Sequence, residues 1–138
     1  MRRVLILCTG NSARSQMAEG LLRHMTGGRM EVFSAGTAPS SVRPEAVRVM
    51  RELGIDIRGH RSKHVDEFAG QRFDCVITVC DNAREVCPVF PEQTERVHWS
   101  FTDPAAVVGD EESRLAAFRR VRDEIAARMR EELLTPDH

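Results

Sequence analysis

Val4-Leu5-Ile6-Leu7 is an unbroken apolar run, the pattern of a strand buried on both faces. It ends in the turn-forming Thr9-Gly10-Asn11-Ser12. Helical spacing follows, with Met17, Ala18, Leu21, Leu22 and Met25 on one face, and Gly27-Gly28 closes it. Glu31 to Ala35 reads as a second strand that ends at Gly36. Pro44 suits the first turn of a helix, along which Ala46, Val49, Met50 and Leu53 recur at i, i+3, i+4 and i+7 before Gly54. Residues 55–64 carry no period, and Val65 to Phe68 fits a short helix. Cys75 to Val79 is a third buried strand, residues 81–87 fit a short helix ended by Pro88, and Arg96 to Trp99 is a fourth strand. The last helix begins near Asp110, with the apolar stripe Leu115, Phe118, Val121, Ile125 and Met129. The Arg and Glu residues between read as a solvated face.

Strands alternating with helices predict an α/β fold: an open, four-stranded, mostly parallel sheet flanked by helices. No repeat or linker interrupts it, so residues 1–138 are expected to form a single domain. Ligands of such sheets bind beyond the carboxyl ends of the strands. The loops after Leu7, Val79 and Trp99 all leave strands and are expected to share that edge.

The chain's 138 residues suffice for a core without disulfide staples. Its net charge of -1 offers no basic field for nucleic acid, so any anion site must be built locally. Lys63 is the only lysine among 20 basic residues. No signal peptide and no membrane span are legible, so a cytoplasmic monomer is expected. Four cysteines in such a compartment are more often buried, metal-binding or catalytic than paired.

Cys8 and Arg14 form a Cys-x5-Arg unit between the first strand and the first helix. Backbone N–H groups at a helix start are unpaired, and the helix dipole adds partial positive charge. Gly10 and Asn11 tolerate left-handed conformations that let N–H groups converge. The Arg14 guanidinium can fork onto two oxygens of an oxyanion. The same surroundings favour a Cys8 thiolate, and Ser15 could donate to its sulfur. The oxyanion-binding loop is therefore expected to comprise Thr9, Gly10, Asn11, Ser12, Ala13 and Arg14. A plain buried thiol followed by an unrelated arginine is the alternative.

Other residues stay ambiguous on their own. Asp103-Pro104 suits either a general acid or a turn cap. Cys80 and Cys87 could be inert thiols, or join His98 at zinc, although zinc sites usually have tighter spacing. Cys75 lies within a strand and reads as a small core residue. The histidines at 24, 60, 64 and 98 read as structural or surface residues.

The segment from Cys8 to Gly20, CTGNSARSQMAEG, resembles the low-molecular-weight tyrosine phosphatase superfamily, and most closely its arsenate reductase branch. The likeness runs from Val4 to the last helix. It implies Cys8 as nucleophile, Arg14 and Ser15 as its supports and Asp103 as general acid. Phosphatases of the superfamily usually carry aromatic residues after the Asp-Pro. This chain has Ala105-Ala106 there and no tyrosine anywhere, which favours a small inorganic oxyanion.

The stretch from Cys80 to Pro88 resembles the redox segment of thioredoxin-coupled arsenate reductases. That likeness implies a relay: Cys8 attacks arsenate, Cys80 attacks Cys8, Cys87 attacks Cys80, and thioredoxin or another thiol reductant reopens the last disulfide. Seven residues of helix would separate the Cys80 and Cys87 Cα atoms by about 10.5 Å. A disulfide needs about 7 Å or less, so a helical segment would have to unwind on oxidation. No bound cofactor and no metal are expected. In some arsenate reductases the counterparts of Asn11, Glu19 and Ser34 join an acidic residue to bind potassium. Lys63 stands in that acid's place, so no potassium requirement is expected. The competing functions are a phosphatase of the same fold, and a thiol sensor or zinc-binding regulator without turnover.

Overall fold

In the computed structural model, residues 2–79 and 94–133 are described. The first apolar run becomes β1, Arg2–Cys8, and pairs in parallel with β2, Met30–Gly36. On its other side β1 pairs with β3, Cys75–Thr78, which pairs with β4, Glu95–His98. All described pairings are parallel, in the order β2-β1-β3-β4. The register aligns Cys8 with Gly36, Leu7 with Thr78 and Thr78 with His98, so the carboxyl ends share one edge, as expected.

Helix α1, Arg14–Thr26, follows β1 directly and ends at Gly27, whose left-handed backbone (φ 59°) closes the last turn. Helix α2, Pro44–Arg51, has the proline at its start. Helix α3, Glu111–Glu132, is capped by the Asp110 carboxylate, which accepts from the Ser113 N–H at 2.8 Å. A 3-10 helix spans Val65–Phe68, and another spans Pro104–Ala106.

Alternation along the strands sorts the core into two layers. Ser34 reaches toward α1 through Glu19, and the α1 side of the sheet buries Val4, Ile6, Val32 and Ile77. The opposite side carries Leu5, Phe33 and Val76. There Phe33, Phe68 and Phe73 meet with ring centroids 5.6 to 5.8 Å apart, and Phe68 comes from the 3-10 helix. Helical elements therefore cover both faces. Among the described residues no helix is long and apolar enough to cross a membrane.

Two surface expectations change. Leu53 is 43% exposed because α2 stops at Arg51, so Leu53 lies beyond the buried stripe. Arg122 does not belong to a solvated face. Its side chain is buried, donates to the Val49 carbonyl at 2.8 Å and pairs with Glu52 at 2.9 Å. It thereby ties α3 to the end of α2. The stripe of Leu115, Phe118, Val121, Ile125 and Met129 is buried throughout.

Candidate active site

Cys8 is the last residue of β1 and is only 2% exposed. Its sulfur lies 2.8 Å from the Ser15 hydroxyl oxygen and accepts from the Asn11 N–H at 3.2 Å. The Asn11 side-chain amide donates to that same Ser15 oxygen at 2.8 Å, and to the Ser34 hydroxyl at 3.0 Å. With Asn11 as donor to it, the Ser15 oxygen keeps its own proton to aim at sulfur.

Asn11 is fully used. Its Oδ1 accepts from the Lys63 N–H at 2.9 Å and from Gln16 Nε2 at 3.0 Å. Its backbone sits at φ 46°, the left-handed region expected of this loop. Gly10 does not share that conformation, so among the described residues of the loop Asn11 alone takes it.

The loop's carbonyls all find partners elsewhere. Cys8 O accepts from Thr37 N, Thr9 O from Ala38 N, Gly10 O from Ser40 N and Ser12 O from Arg43 N, at 2.9 to 3.3 Å. Gly10 O also accepts from the Ser62 hydroxyl at 2.8 Å, and Asn11 O from Gln16 Nε2 at 3.1 Å. Ala13 O accepts from Met17 N inside the helix. Ala13 occupies the cap position of α1 without a side-chain hydrogen bond, and no acidic residue lies in the first turn. The dipole of α1 therefore faces the loop with no protein carboxylate in its first turn.

Gly36 makes this packing possible. A Cβ on Gly36 would fall 2.4 Å from the Thr9 carbonyl oxygen and 2.9 Å from the Asn11 nitrogen. The end of β2 thus presses directly on the loop backbone, an approach open only to glycine.

Arg14 is largely buried, donates to the Phe101 carbonyl at 3.0 Å and lies 3.8 Å from the Asp103 carboxylate. The same carboxylate accepts from the Ala105 N–H at 3.0 Å and caps the 3-10 helix. The turn-cap reading of Asp103 thus holds, and the turn sets its carboxylate beside Arg14. Ala105 and Ala106 complete that short helix.

Behind the loop lies a buried polar layer. Glu19 accepts from the Ser34 hydroxyl at 2.6 Å, pairs with Arg23 at 3.2 Å and lies 3.7 Å from His60 Nε2. His60 Nδ1 meets Gln16 Oε1 at 3.0 Å, so this histidine supports the loop at second hand through Gln16. Burial pushes the His60 pKa below its usual value, opposed by the Glu19 charge. Burial likewise pulls the Lys63 ammonium down, and Glu19 again opposes. The oxygens of Asn11 and Ser34 are thus engaged with protein partners, and an ammonium already lies in the field of Glu19. These residues do not fit a potassium ion.

Cys75 is fully buried in β3, and burial pushes its thiol up to about 11. His64 caps the Val65–Phe68 turn, and His98 Nδ1 meets the Thr78 hydroxyl at 2.6 Å. Among the described residues no group of three His, Cys, Asp or Glu side chains could hold a metal. Cys80, Cys87 and the short helix expected at 81–87 lie outside the described residues. Gln16, Gly36 and Ser62 were not singled out from sequence as site residues. Only Gly36, a glycine at a strand end, carried a local signal.

Residues 3–135 match the family described as low molecular weight phosphotyrosine protein phosphatase. An arsenate reductase of Halalkalibacterium halodurans is 48% identical over 127 residues, covering 92% of this chain and 91% of that protein. A solved structure of an arsenate reductase in its oxidized state superposes with a TM-score of 0.81 at 33% identity, covering 95% of each chain. A thioredoxin-dependent arsenate reductase of Corynebacterium glutamicum gives a TM-score of 0.75 at 29% identity. There the match covers 95% of this chain and 59% of the other.

Proposed function

This chain belongs to the low-molecular-weight phosphotyrosine protein phosphatase family, and on that premise we propose that it is an arsenate reductase acting as a single catalytic domain. The observation that carries the reading is the Cys8 sulfur, held by the Asn11 N–H and the Ser15 hydroxyl in a loop whose carbonyls are engaged elsewhere. Such a loop suits a tetrahedral oxyanion. The relatives named arsenate reductase and the small residues after Asp103 favour arsenate over an aryl ester.

In the proposed reaction the Cys8 thiolate attacks arsenic while Arg14 and the loop N–H groups hold the oxygens. Asp103 gives a proton to the departing oxygen, which leaves as water, and a sulfur–arsenic bond has formed. Cys80 then attacks the Cys8 sulfur. The sulfur–arsenic bond breaks, its electron pair stays on arsenic, and arsenite departs as a Cys8–Cys80 disulfide forms. Cys87 attacks the Cys80 sulfur and frees Cys8. A dithiol reductant, thioredoxin being the first choice, restores the Cys80–Cys87 pair and supplies the two electrons. The protein works as a monomer in the cytoplasm, without a bound cofactor or metal.

The test couples the protein to thioredoxin, thioredoxin reductase and NADPH, and follows arsenate-dependent NADPH loss. Wild type should turn over, and Cys8→Ser, Cys80→Ser and Cys87→Ser should each lose steady turnover. Hydrolysis of an aryl phosphate with no arsenate-dependent oxidation would assign the phosphatase activity instead. Inactivity in both assays, with zinc bound on purification, would assign the regulator.

A further inference from the structure

Resting on the reading of Cys8 as a thiolate nucleophile, we propose that Ser62 is a positioning residue for it: by gripping the Gly10 carbonyl, Ser62 keeps the Gly10–Asn11 peptide turned so that its N–H meets the Cys8 sulfur.

A trans peptide is planar, with its C=O and N–H on opposite sides. Here the two ends of one peptide are held at once. The Ser62 hydroxyl donates to the Gly10 oxygen at 2.8 Å, and the Asn11 N–H donates to the Cys8 sulfur at 3.2 Å. Fixing the carbonyl therefore fixes the direction of the N–H. This peptide needs such fixing, since glycine rotates with little steric resistance and Asn11 sits at φ 46°. Turned over, the same peptide would present an oxygen to the sulfur and to any bound oxyanion, and both are repelled by it.

The donor itself is aimed. The Ser40 N–H lies 3.1 Å from the Ser62 oxygen, which leaves the Ser62 proton for Gly10. The strand end holds the segment in place, because the Gly36 N–H donates to the Lys63 carbonyl at 2.8 Å and Gly36 bridges His64. Ser62 is 52 residues from Gly10 in sequence, so only the fold brings them together. Ser40 N also reaches the Gly10 oxygen, at 3.1 Å. Losing the Ser62 hydroxyl should therefore weaken the grip without abolishing it. Among the described residues, the charged and titratable groups around the loop are Arg14 from α1, Asp103 from the turn after β4, Arg61 and Lys63 on either side of Ser62, and His60 and Glu19 in the polar layer behind.

The test reads the thiolate directly. In a Cys80→Ser/Cys87→Ser background, the rate of iodoacetamide alkylation at Cys8 is followed against pH by peptide mass spectrometry. Cys75 is buried and serves as the unreactive internal reference. The parent should show a midpoint well below that of a free thiol. Ser62→Ala should move it up by about half a unit to one unit, so that alkylation at pH values below the parental midpoint slows by about three- to tenfold. Ser62→Thr, which keeps the hydroxyl, should return the profile to that of the parent, and Ser41→Ala should match the parent. In the chain with all four cysteines, Ser62→Ala should lower kcat/KM for arsenate by a similar factor.

A Ser62→Ala profile superimposable on a low parental midpoint overturns the proposal, whatever happens to the melting temperature. A parental midpoint near that of free cysteine overturns the thiolate reading of Cys8, and the role of Ser62 falls with it. If Ser62→Ala fails to fold, Ser62→Gly removes the same hydroxyl and is judged by the same two outcomes.

Discussion

The hydroxyl oxygen of Ser15 lies 2.8 Å from the sulfur of Cys8, seven residues earlier, across the turn from β1 into α1. The Asn11 amide fills one of its acceptor sites, and against a thiolate its own proton is directed at sulfur. A hydrogen bond to a charged acceptor is worth about 1.5 kcal/mol or more. Ser15→Ala should raise the midpoint of Cys8 alkylation by about one unit, so that alkylation at pH values below the parental midpoint slows by about tenfold, and arsenate turnover should fall with it. Circular dichroism should show the fold unchanged. Unchanged alkylation in Ser15→Ala would mean that the hydroxyl does not stabilise the thiolate.

Gly36 meets the loop backbone more closely than any side chain allows, since a methyl group there would sit 2.4 Å from the Thr9 oxygen. Gly36→Ala must displace either the end of β2 or the loop. A loss of stability of about 1–3 kcal/mol is expected, on the usual scale of overpacking. Activity should fall much further, by about a hundredfold, because a misplacement near 1 Å at the reacting centre is that costly. Comparing the melting temperature with kcat/KM separates the two effects. A fully active Gly36→Ala protein would show that the loop tolerates the shift.

Cys75 is buried against the core with its thiol pushed up to about 11, above the ordinary value of 9.0. Between those values the folded chain keeps a proton that the unfolded chain has released. Folding stability should therefore decline as pH rises from about 9 toward 11. Cys75→Ala should flatten that part of the decline in denaturant titrations across this range, at the cost of some packing. In the native wild type Cys75 should resist alkylation at pH 8. Prompt labelling of Cys75 would indicate that β3 opens readily.

Lys63 contributes an ammonium to the polar layer that contains Glu19. With that charge built in, arsenate turnover should be the same in potassium chloride as in sodium chloride at equal ionic strength. Lys63→Gln leaves the buried Glu19 with less compensating charge, and its melting temperature should drop. A rise in wild-type activity specific to potassium would show that the ion still finds a place.

Much of this protein is legible in its sequence because the relevant forces are local. The apolar runs at Val4 to Leu7 and Cys75 to Val79 mark the two central strands, and the stripe from Leu115 to Met129 marks α3, since periodicity follows from backbone geometry alone. Cys8, Asn11, Arg14 and Ser15 lie within one strand-turn-helix unit, so their spacing already implies convergence on an anion. Leu53 departs from that pattern because its helix ends at Arg51, two residues before the apolar period does.

What the sequence determined by itself was thus the parallel α/β order and a loop chemically suited to an oxyanion. The tertiary structure decided how that loop is held. Ser62 and Gly36 lie outside the motif at Cys8, and they matter because a parallel sheet brings the ends of β1 and β2 together and lays Thr37, Ala38, Ser40 and Arg43 along the loop's carbonyls. Asp103 is distant from Arg14 in the chain and beside it in space only because β4 ends at the same edge as β1. Arg122 reads as a surface charge until α2 supplies a carbonyl and a carboxylate for it. Each of these contacts joins segments that propensity and spacing treat as independent, and only the packed sheet fixes their distance.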